Sequence, residues 1–201
     1  MVRELLDGAS LQPGHRLLDY GCADQPYRSL IPADVEYVSA DLPGNSEAKL
    51  ELRPDGTVPL PDRSIDVILS TQVLEHVPRP DVYLEECRRL LRPGGTLVIS
   101  THGLMYYHPD PEDYWRWTPA GIRKVLGDQR FEVVELRGLL GLAAAALQVF
   151  QDATYWFLPR PLRRPYALLM QVLIALADRR YSEDLRNENS WTIAIRAVRH
   201  G

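Results

Sequence analysis

Several signatures are missing from this 201-residue sequence, and each absence excludes a class of protein. The two cysteines, Cys22 and Cys87, form no CxxC pattern, so we expect neither a disulfide framework nor a zinc or other metal site. The formal net charge at pH 7 is −4 and the first half has no basic tract, so a nucleic-acid interface is not expected. The opening residues MVRELLDGAS lack the apolar run of a signal peptide. We therefore expect a cytoplasmic protein with reduced thiols.

Short apolar strands alternate with helical segments along the chain, a pattern that predicts a parallel sheet covered on both faces. Strands are expected at residues 16–20, 36–40, 49–53, 65–70, 96–101, 131–137 and 192–198. Helices are expected at residues 80–91 and 118–128, the second because Thr118 can cap it and a proline follows at its first position. The length suits one domain over residues 1–201. The fold class is therefore α/β, with a doubly wound, mostly parallel sheet of seven strands.

An unusually apolar segment lies between the last two predicted strands. Residues 139–158 and 166–177 carry only narrow polar stripes and are separated by PRPLRRP. The stripe residues are Gln148, Gln151, Asp152 and Tyr155 in the first stretch, and Gln171 and Asp178 in the second. This pattern predicts an inserted helical hairpin, within residues 139–185, that has more apolar surface than a one-sided cap requires. A lid, a homodimer interface and an anchor on a membrane surface all remain open, whereas a membrane span is not expected.

The stretch RLLDYGCADQPY, residues 16–27, runs from the first strand into a loop with a single glycine, Gly21. A loop that grips a pyrophosphate needs several glycines, so NAD, FAD and ATP are poor candidates. S-adenosyl-L-methionine (SAM) has no phosphate and removes that need. Gly21 would allow a tight turn close to this ligand, and Asp19 could face its cationic amino end. The same residues also occur in ordinary turns, which is the alternative interpretation.

Two further carboxylates suit the same ligand. Asp41 ends the second strand 22 residues after Asp19, near the spacing at which a carboxylate accepts hydrogen bonds from a ribose diol. Asp55 follows the third strand, where its carboxylate could accept the adenine amino hydrogens. A turn aspartate within RPDG is the competing interpretation of Asp55.

Four segments between residues 16 and 101 resemble the class I, Rossmann-like SAM-dependent methyltransferases of the type 11 domain group. They read LLDYGCAD, YVSADLPG, DGTVPLPDRSIDVILSTQVLEHV and YLEECRRLLRPGGTLVIST. The resemblance implies that SAM is the cofactor and that the following residues bind it: Asp19, Gly21, Cys22, Ala23, Asp41, Leu42, Asp55, Thr71, Gln72 and Val73. The family often has G-x-G where this chain has Gly21-Cys22-Ala23. Alanine is the smallest replacement, so we expect binding to survive.

The loop THGLMYYHPDPEDYWRWT, residues 101–118, is expected to hold the methyl acceptor, because ligands of open α/β sheets bind outside the carboxyl ends of the strands. Its candidate substrate contacts are Tyr106, Tyr107, Asp110, Tyr114, Trp115 and Trp117, although these residues could instead simply fill the top of the sheet. An alcohol acceptor needs a base, and histidine is the usual choice near neutral pH. His102 and His108 are the candidates, and His76 in VLEHV is a third, for which the resemblance favours a structural role in the pocket wall.

These patterns predict a SAM-dependent methyltransferase that modifies a small molecule, a sugar or a lipid-linked acceptor on oxygen. A catalytically silent scaffold or partner subunit of the same fold is the first alternative, and a nucleotide-dependent oxidoreductase is the second. Cofactor binding separates the oxidoreductase from the other two, and turnover separates the enzyme from the scaffold. We expect the protein in the cytoplasm, and peripheral membrane contact or homodimerisation through residues 139–178 stays open.

Overall fold

The computed structural model describes residues 1–110 and 112–201. Within those residues the strands are β1 Arg16–Tyr20, β2 Glu36–Asp41, β3 Leu50–Glu51, β4 Ile65–Thr71, β5 Leu91–His102, β6 Phe131–Gly141 and β7 Ser190–Arg199. They form one seven-stranded sheet in the order β3-β2-β1-β4-β5-β7-β6. β7 is antiparallel to both of its neighbours, and the other pairings are parallel. The predicted α/β class with a mostly parallel seven-stranded sheet is confirmed.

The helices of the described chain are α1 Val2–Gly8, α2 Pro80–Leu90, α3 Pro119–Asp128, α4 Leu142–Tyr155, α5 Arg160–Asp178 and α6 Glu183–Glu188. α3 begins as the sequence predicts, because the Thr118 hydroxyl accepts a hydrogen bond from the Gly121 N–H at 3.0 Å. α2 ends at Leu90, and the next residue is already extended and begins β5. β5 is therefore longer than predicted and includes the RPGG segment, at an irregularity in its pairing with β4.

Apolar layers cover both faces of the sheet. α2 and α3 pack on one face, where Ile68 of β4 joins Leu84 and Ile122 in a buried cluster. α1 packs on the opposite face, where Val67 and Leu69 of the same strand are buried. Adjacent strand residues point to opposite faces, so a strand buried on both sides reads as a continuous apolar run. β4 is therefore central, as IDVILS indicates.

α4 and α5 come after β6 and before β7 in the chain, and the two helices pack side by side. The first three residues of the expected hairpin, 139–141, belong instead to β6. The polar stripes of the two helices meet each other, since Gln171 Nε2 donates to Gln151 Oε1 at 2.9 Å and to Gln148 Oε1 at 3.4 Å. In the described part of the chain, no helix combines the length and apolarity required to cross a bilayer.

Candidate functional site

A cavity of about 340 Å³ lies at the carboxyl ends of β1, β2 and β4, the edge at which open α/β sheets bind ligands. Several residues predicted from the sequence line it: Gly21, Ala23, Asp41, Leu42, Gln72, Val73 and Asp110. Leu52 and Gly56 line it as well, together with His76, which sequence analysis assigned to a structural role. The cavity therefore has an apolar part and a part formed by ionisable groups.

Gly21 brings the loop after β1 into close contact with the segment after β4. Its φ is +79°, and a Cβ atom at this position would collide with the side chain of Val73. The Gln72 backbone also has a positive φ, and the Gln72 side-chain amide donates to the Ser100 hydroxyl at 2.9 Å. Only glycine satisfies both the φ and the space at position 21, so the single glycine is needed at this point.

Asp41 is bonded to the loop that it faces. Its Oδ2 atom accepts hydrogen bonds from the Ala23 N–H and the Asn45 side-chain amide, both at 2.7 Å, and its Oδ1 atom accepts one from the Leu42 N–H at 2.8 Å. A carboxylate offers about four lone-pair sites and three are used, so one acceptor site remains, on Oδ1, for a hydroxyl of a diol. Asp41 therefore shapes the cavity and also presents a negative charge to it.

Asp19 lies under the cavity rather than on its wall. Its side chain is 1% exposed and accepts a hydrogen bond from the Tyr37 hydroxyl at 2.6 Å. Burial raises the pKa of Asp19 to about 6; the Tyr37 hydrogen bond opposes this effect, and the nearby Asp41 adds to it. From this position Asp19 would act on the cofactor's amino end only indirectly, and that contact remains a prediction.

Three other predicted cofactor residues also lie away from the cavity wall. Asp55 is exposed and accepts hydrogen bonds from the Thr57 N–H at 3.0 Å and the Thr57 hydroxyl at 2.7 Å, which is the turn arrangement given as the competing interpretation. Cys22 is buried, which raises the pKa of its thiol to about 12. Thr71 ends β4 and is absent from the lining. In this structure the apolar part of the cavity is formed without Asp55.

An internal ion pair holds the loop after β5 in shape. The Arg116 guanidinium contacts both carboxylate oxygens of Asp113, at 2.5 and 2.6 Å, and also donates to the carbonyls of Met105 and Tyr106. The Asp113 carboxylate accepts a further hydrogen bond from the His108 N–H at 2.7 Å. Arg116 holds the pKa of Asp113 down at about 2. These two charged residues therefore bind each other and link residues 105–108 to residues 113–116 of the loop.

The predicted aromatic residues of this loop divide into two groups. Tyr107 and Tyr114 are exposed. Trp115 donates its indole N–H to the Val77 carbonyl at 2.8 Å, and Trp117 packs against the core cluster beside α3. The alternative interpretation, in which aromatics fill the top of the sheet, therefore describes Trp117, whereas the tyrosines remain available to a substrate.

Three histidines cluster where this loop meets the segment after β4. The ring centroids of His76, His102 and His108 lie 6.1 to 6.4 Å apart. Glu75, which sequence analysis did not single out, is fully buried among them. Its Oε1 atom lies 3.0 Å from His102 Nε2 and 4.0 Å from His76 Nε2, and its Oε2 atom accepts a hydrogen bond from the Thr101 hydroxyl at 2.8 Å.

The histidines differ in their access to the cavity. His102 is buried and His108 is exposed, whereas His76 lines the cavity. His76 Nδ1 contacts the Glu112 carbonyl, which can only accept a hydrogen bond. The proton of a neutral His76 ring is therefore assigned to Nδ1, and Nε2 has a free lone pair. The third histidine candidate of the sequence thus lies on the cavity wall, and its role as a base stays a prediction.

A second, more open cavity of about 640 Å³ lies between the same loop and α4. Tyr106, Gln151, Asp152 and Trp156 line it. The Tyr106 hydroxyl donates to Asp152 Oδ2 at 3.3 Å, so the hairpin and the loop meet directly. Among residues 1–110 and 112–201, no group of three or more His, Cys, Asp or Glu side chains is arranged to hold a metal ion.

The chain is similar to known methyltransferases in sequence. A sequence model of the methyltransferase domain family matches residues 2–149. A protein of Mycolicibacterium smegmatis, named as a probable S-adenosylmethionine-dependent methyltransferase, is 33% identical over 95 residues, which cover 44% of this chain and 37% of that protein. A ubiquinone biosynthesis O-methyltransferase of Cereibacter sphaeroides is 29% identical over 157 residues, which cover 63% of this chain and 60% of the relative. The chain therefore spans less than two thirds of the length of either relative.

Solved structures agree on the fold. A SAM-dependent methyltransferase from Aquifex aeolicus superimposes with a TM-score of 0.56 at 17% identity, covering 69% of this chain and 83% of the other. Phosphoethanolamine N-methyltransferase 2 of Haemonchus contortus, in complex with S-adenosyl-L-methionine, gives a TM-score of 0.62 at 16% identity and covers 100% of this chain and 52% of its own. At such identities the likeness concerns the fold alone.

The fold and the cavity define a class I α/β domain of the Rossmann-like kind. The chain belongs to the methyltransferase domain family, since the matched segment covers most of its length. The predicted SAM-dependent class and the cofactor SAM are thereby confirmed at the level of the family, whereas the type 11 group stays a prediction.

Proposed function

We propose that this protein transfers a methyl group from SAM to a hydroxyl oxygen of a small molecule, a sugar or a lipid-linked acceptor. The observation that carries the proposal is the single cavity in which Gly21 and Asp41 meet His76. A cofactor site and a candidate base then lie side by side. The alternative of a silent scaffold would not need a histidine on the wall of the cofactor cavity.

The cavity suits SAM in its chemistry. Leu42 and Leu52 offer apolar contact to an adenine ring, and the Asp41 carboxylate offers its remaining acceptor site to a ribose hydroxyl. Gly21 lets the loop after β1 approach Val73 closely, and both residues line the cavity where the methionine part would lie. The buried Asp19 lies near this part of the site and would favour a cationic ligand when it is ionised. When bound, SAM supplies a methyl group already activated by the sulfonium.

The chain's own contribution is positioning and proton removal. His76 holds its proton at Nδ1 toward the Glu112 carbonyl, so Nε2 can accept the proton of the acceptor hydroxyl. The resulting imidazolium is stabilised by the Glu75 carboxylate, whose Oε1 atom lies 4.0 Å from Nε2. In this proposal Glu75 and His102 are positioning residues, because both are buried. His108, a sequence-based candidate, is exposed and remains the competing base.

The oxygen acceptor is supported by chemistry and by resemblance. A hydroxyl gains most from a base, and the histidine cluster lies between the cofactor cavity and the aromatic loop. The Cereibacter sphaeroides relative is named as an O-methyltransferase. Exposed Tyr107 and Tyr114 offer flat surfaces to a sugar or a ring.

The proposal is tested first by calorimetric titration with SAM and, separately, with NAD. Binding of SAM without binding of NAD is expected, and absence of SAM binding would refute the proposal. A screen with sugars, phenols and lipid-linked glycans then follows, with S-adenosylhomocysteine release as the readout.

Two histidine variants identify the base once an acceptor is found. His76→Gln is expected to lower kcat by roughly 10²- to 10⁴-fold and to leave the SAM dissociation constant almost unchanged. His108→Gln is the matched variant on the exposed ring of the same cluster, and we expect a much smaller loss. The opposite ranking would assign the base to His108, and full activity of both variants would exclude histidine catalysis.

A further inference from the structure

The outer surface of the α4–α5 hairpin is strongly apolar. Twelve large hydrophobic side chains between residues 139 and 176 are exposed: Leu139, Leu142, Val149, Phe150, Trp156, Phe157, Leu162, Leu168, Leu169, Val172, Leu173 and Leu176. On α5, Leu169, Val172, Leu173 and Leu176 recur every three or four residues and therefore form one stripe. An apolar area of this kind on a water-soluble surface indicates an interaction site.

The polar side chains of the hairpin bind one another and the edge of the sheet, so they do not cover this apolar surface. Gln171 binds Gln151, and Asp178 accepts a hydrogen bond from the Gly141 N–H at 2.8 Å. Gln151 is buried and needs a partner, which the exposed Gln171 supplies from the facing helix, and the half-buried Asp178 binds the edge of the sheet. The exposed apolar stripe is therefore a consequence of the packing and has no partner within the described chain.

Positive charge lies at both ends of α5. Arg160, Arg163 and Arg164 stand in its first turns, and Arg179 and Arg180 follow its last residue. The one acidic residue in residues 156–180, Asp178, is paired with Arg186 at 3.2 Å. Within the described residues, Arg160 and Arg164 are exposed and form no ion pair. The surface is thus positive, although the whole chain has a net charge of −4.

Aromatic residues mark the turn between the two helices. Phe157 is 86% exposed and Trp156 is 70% exposed. The Arg163 guanidinium lies over the Trp156 ring at 4.8 Å and donates to the Leu158 carbonyl at 3.0 Å, which fixes the turn. Tryptophan beside arginine is the combination that favours the boundary between lipid headgroups and acyl chains.

We propose that the hairpin docks in the plane of a lipid bilayer whose headgroups are anionic. α5 has 19 residues and is about 28 Å long at a rise of 1.5 Å per residue, so a helix lying flat would place both arginine groups at headgroups. A second copy of the chain fits less well. Whether two α5 stripes packed parallel or antiparallel, arginines would face arginines at both ends of the contact.

Docking would also place the substrate loop at the membrane. Tyr106 contacts Asp152 of α4, and the 640 Å³ cavity lies between that loop and the hairpin. If the methyl transfer proposed above holds, an acceptor attached to lipid would enter from this side. The docking surface itself does not depend on methyl transfer, so its test is separate.

Vesicle flotation tests the proposal with the full chain. We expect the protein to float with phosphatidylcholine vesicles that contain phosphatidylglycerol, and the binding to weaken as salt is added. The double variant Arg160→Gln, Arg164→Gln is expected to reduce partitioning by roughly tenfold to thirtyfold, because each of the two arginines contributes a similar attraction to the anionic surface. Phe157→Ser with Leu169→Ser is expected to reduce it by roughly tenfold or more.

Matched controls lie outside the hairpin. Val134→Ser with Leu185→Ser removes exposed apolar side chains elsewhere, and Arg123→Gln removes a charge from α3; both should float like the unaltered protein. Thermal melting followed by circular dichroism checks that every variant is folded. The proposal is overturned if the unaltered protein does not float, or if the hairpin variants float as well as the controls. A stable dimer that only the hairpin variants dissociate, without flotation, would assign the surface to a second copy.

Discussion

Replacement of Gly21 by alanine tests the feature on which the cofactor cavity depends. Gly21 has a φ of +79°, and a Cβ atom there would collide with the Val73 side chain. Gly14 is a natural control, because its φ is +80° and no atom lies within 4 Å of a Cβ built on it. Both alanine variants carry the same backbone penalty, and only Gly21→Ala adds a steric conflict.

The two contributions can be estimated separately. An L-residue in the left-handed region costs about 1–2 kcal/mol, so Gly14→Ala should lower the free energy of unfolding by that amount. Overpacking against Val73 should add about 1–3 kcal/mol to the loss at Gly21. For a domain of this size each kcal/mol lowers Tm by about 2–4 °C. The Gly21→Ala variant should therefore melt clearly below the Gly14→Ala variant.

Urea unfolding and SAM calorimetry provide the measurements. Gly14→Ala should keep the SAM affinity of the unaltered protein, whereas Gly21→Ala should weaken it because the loop after β1 has to move. Adding Val73→Ala to Gly21→Ala should recover part of the lost stability, since it removes the colliding atoms. Equal destabilisation by the two glycine variants would refute the close approach of the two loops.

Substitutions at three other positions probe the charged groups. Asp41→Ala should weaken SAM binding by about 1–3 kcal/mol in calorimetry, and unchanged affinity would refute the ribose assignment. The buried Asp19 has a pKa of about 6 against 3.8 when exposed, so its protonated form favours folding and stability should fall by up to about 3 kcal/mol as pH rises from 4 to 6. Asp19→Asn should flatten that part of a urea-midpoint profile, and an unchanged slope would contradict the assignment. Arg116→Ala leaves Asp113 without its cation and should lower the free energy of unfolding by about 3–5 kcal/mol, with faster proteolysis of the loop. Arg116→Lys should lower it less. Equal losses of stability in the two variants would argue against the contact of Arg116 with both carboxylate oxygens.

The cofactor cavity was largely predictable because its residues follow directly from strand ends. Gly21 and Asp41 each come at or just after a buried strand, and parallel strands end at one edge of the sheet. Asp55 was harder to place, because a turn aspartate has the same sequence neighbours whether its carboxylate caps the turn or reaches a ligand. The hydrogen bonds to Thr57 are the distinguishing fact, and they depend on local backbone angles.

The assignment of the histidines shows a different limit. His102 ends β5 and was the better candidate by position, yet β5 is covered at that point and the side chain is buried. His76 lies in a short turn whose direction is set by packing against the loop that contains Glu112. Contacts between segments far apart in the chain decide which ring reaches the cavity, and no local pattern encodes them.

The sequence by itself determined the elements, their order and the class of fold, because strand and helix periodicities and turn residues are local properties. It also determined that the hairpin would be apolar with a narrow polar stripe. Only the tertiary structure decided which side of the hairpin faces water. The glutamines of α4 and α5 satisfy one another across the helix pair, so the apolar stripe is left outside. Gln151 is the buried amide of the pair, and its partner comes from the facing helix, so contacts between separate segments determined which side chains stay at the surface.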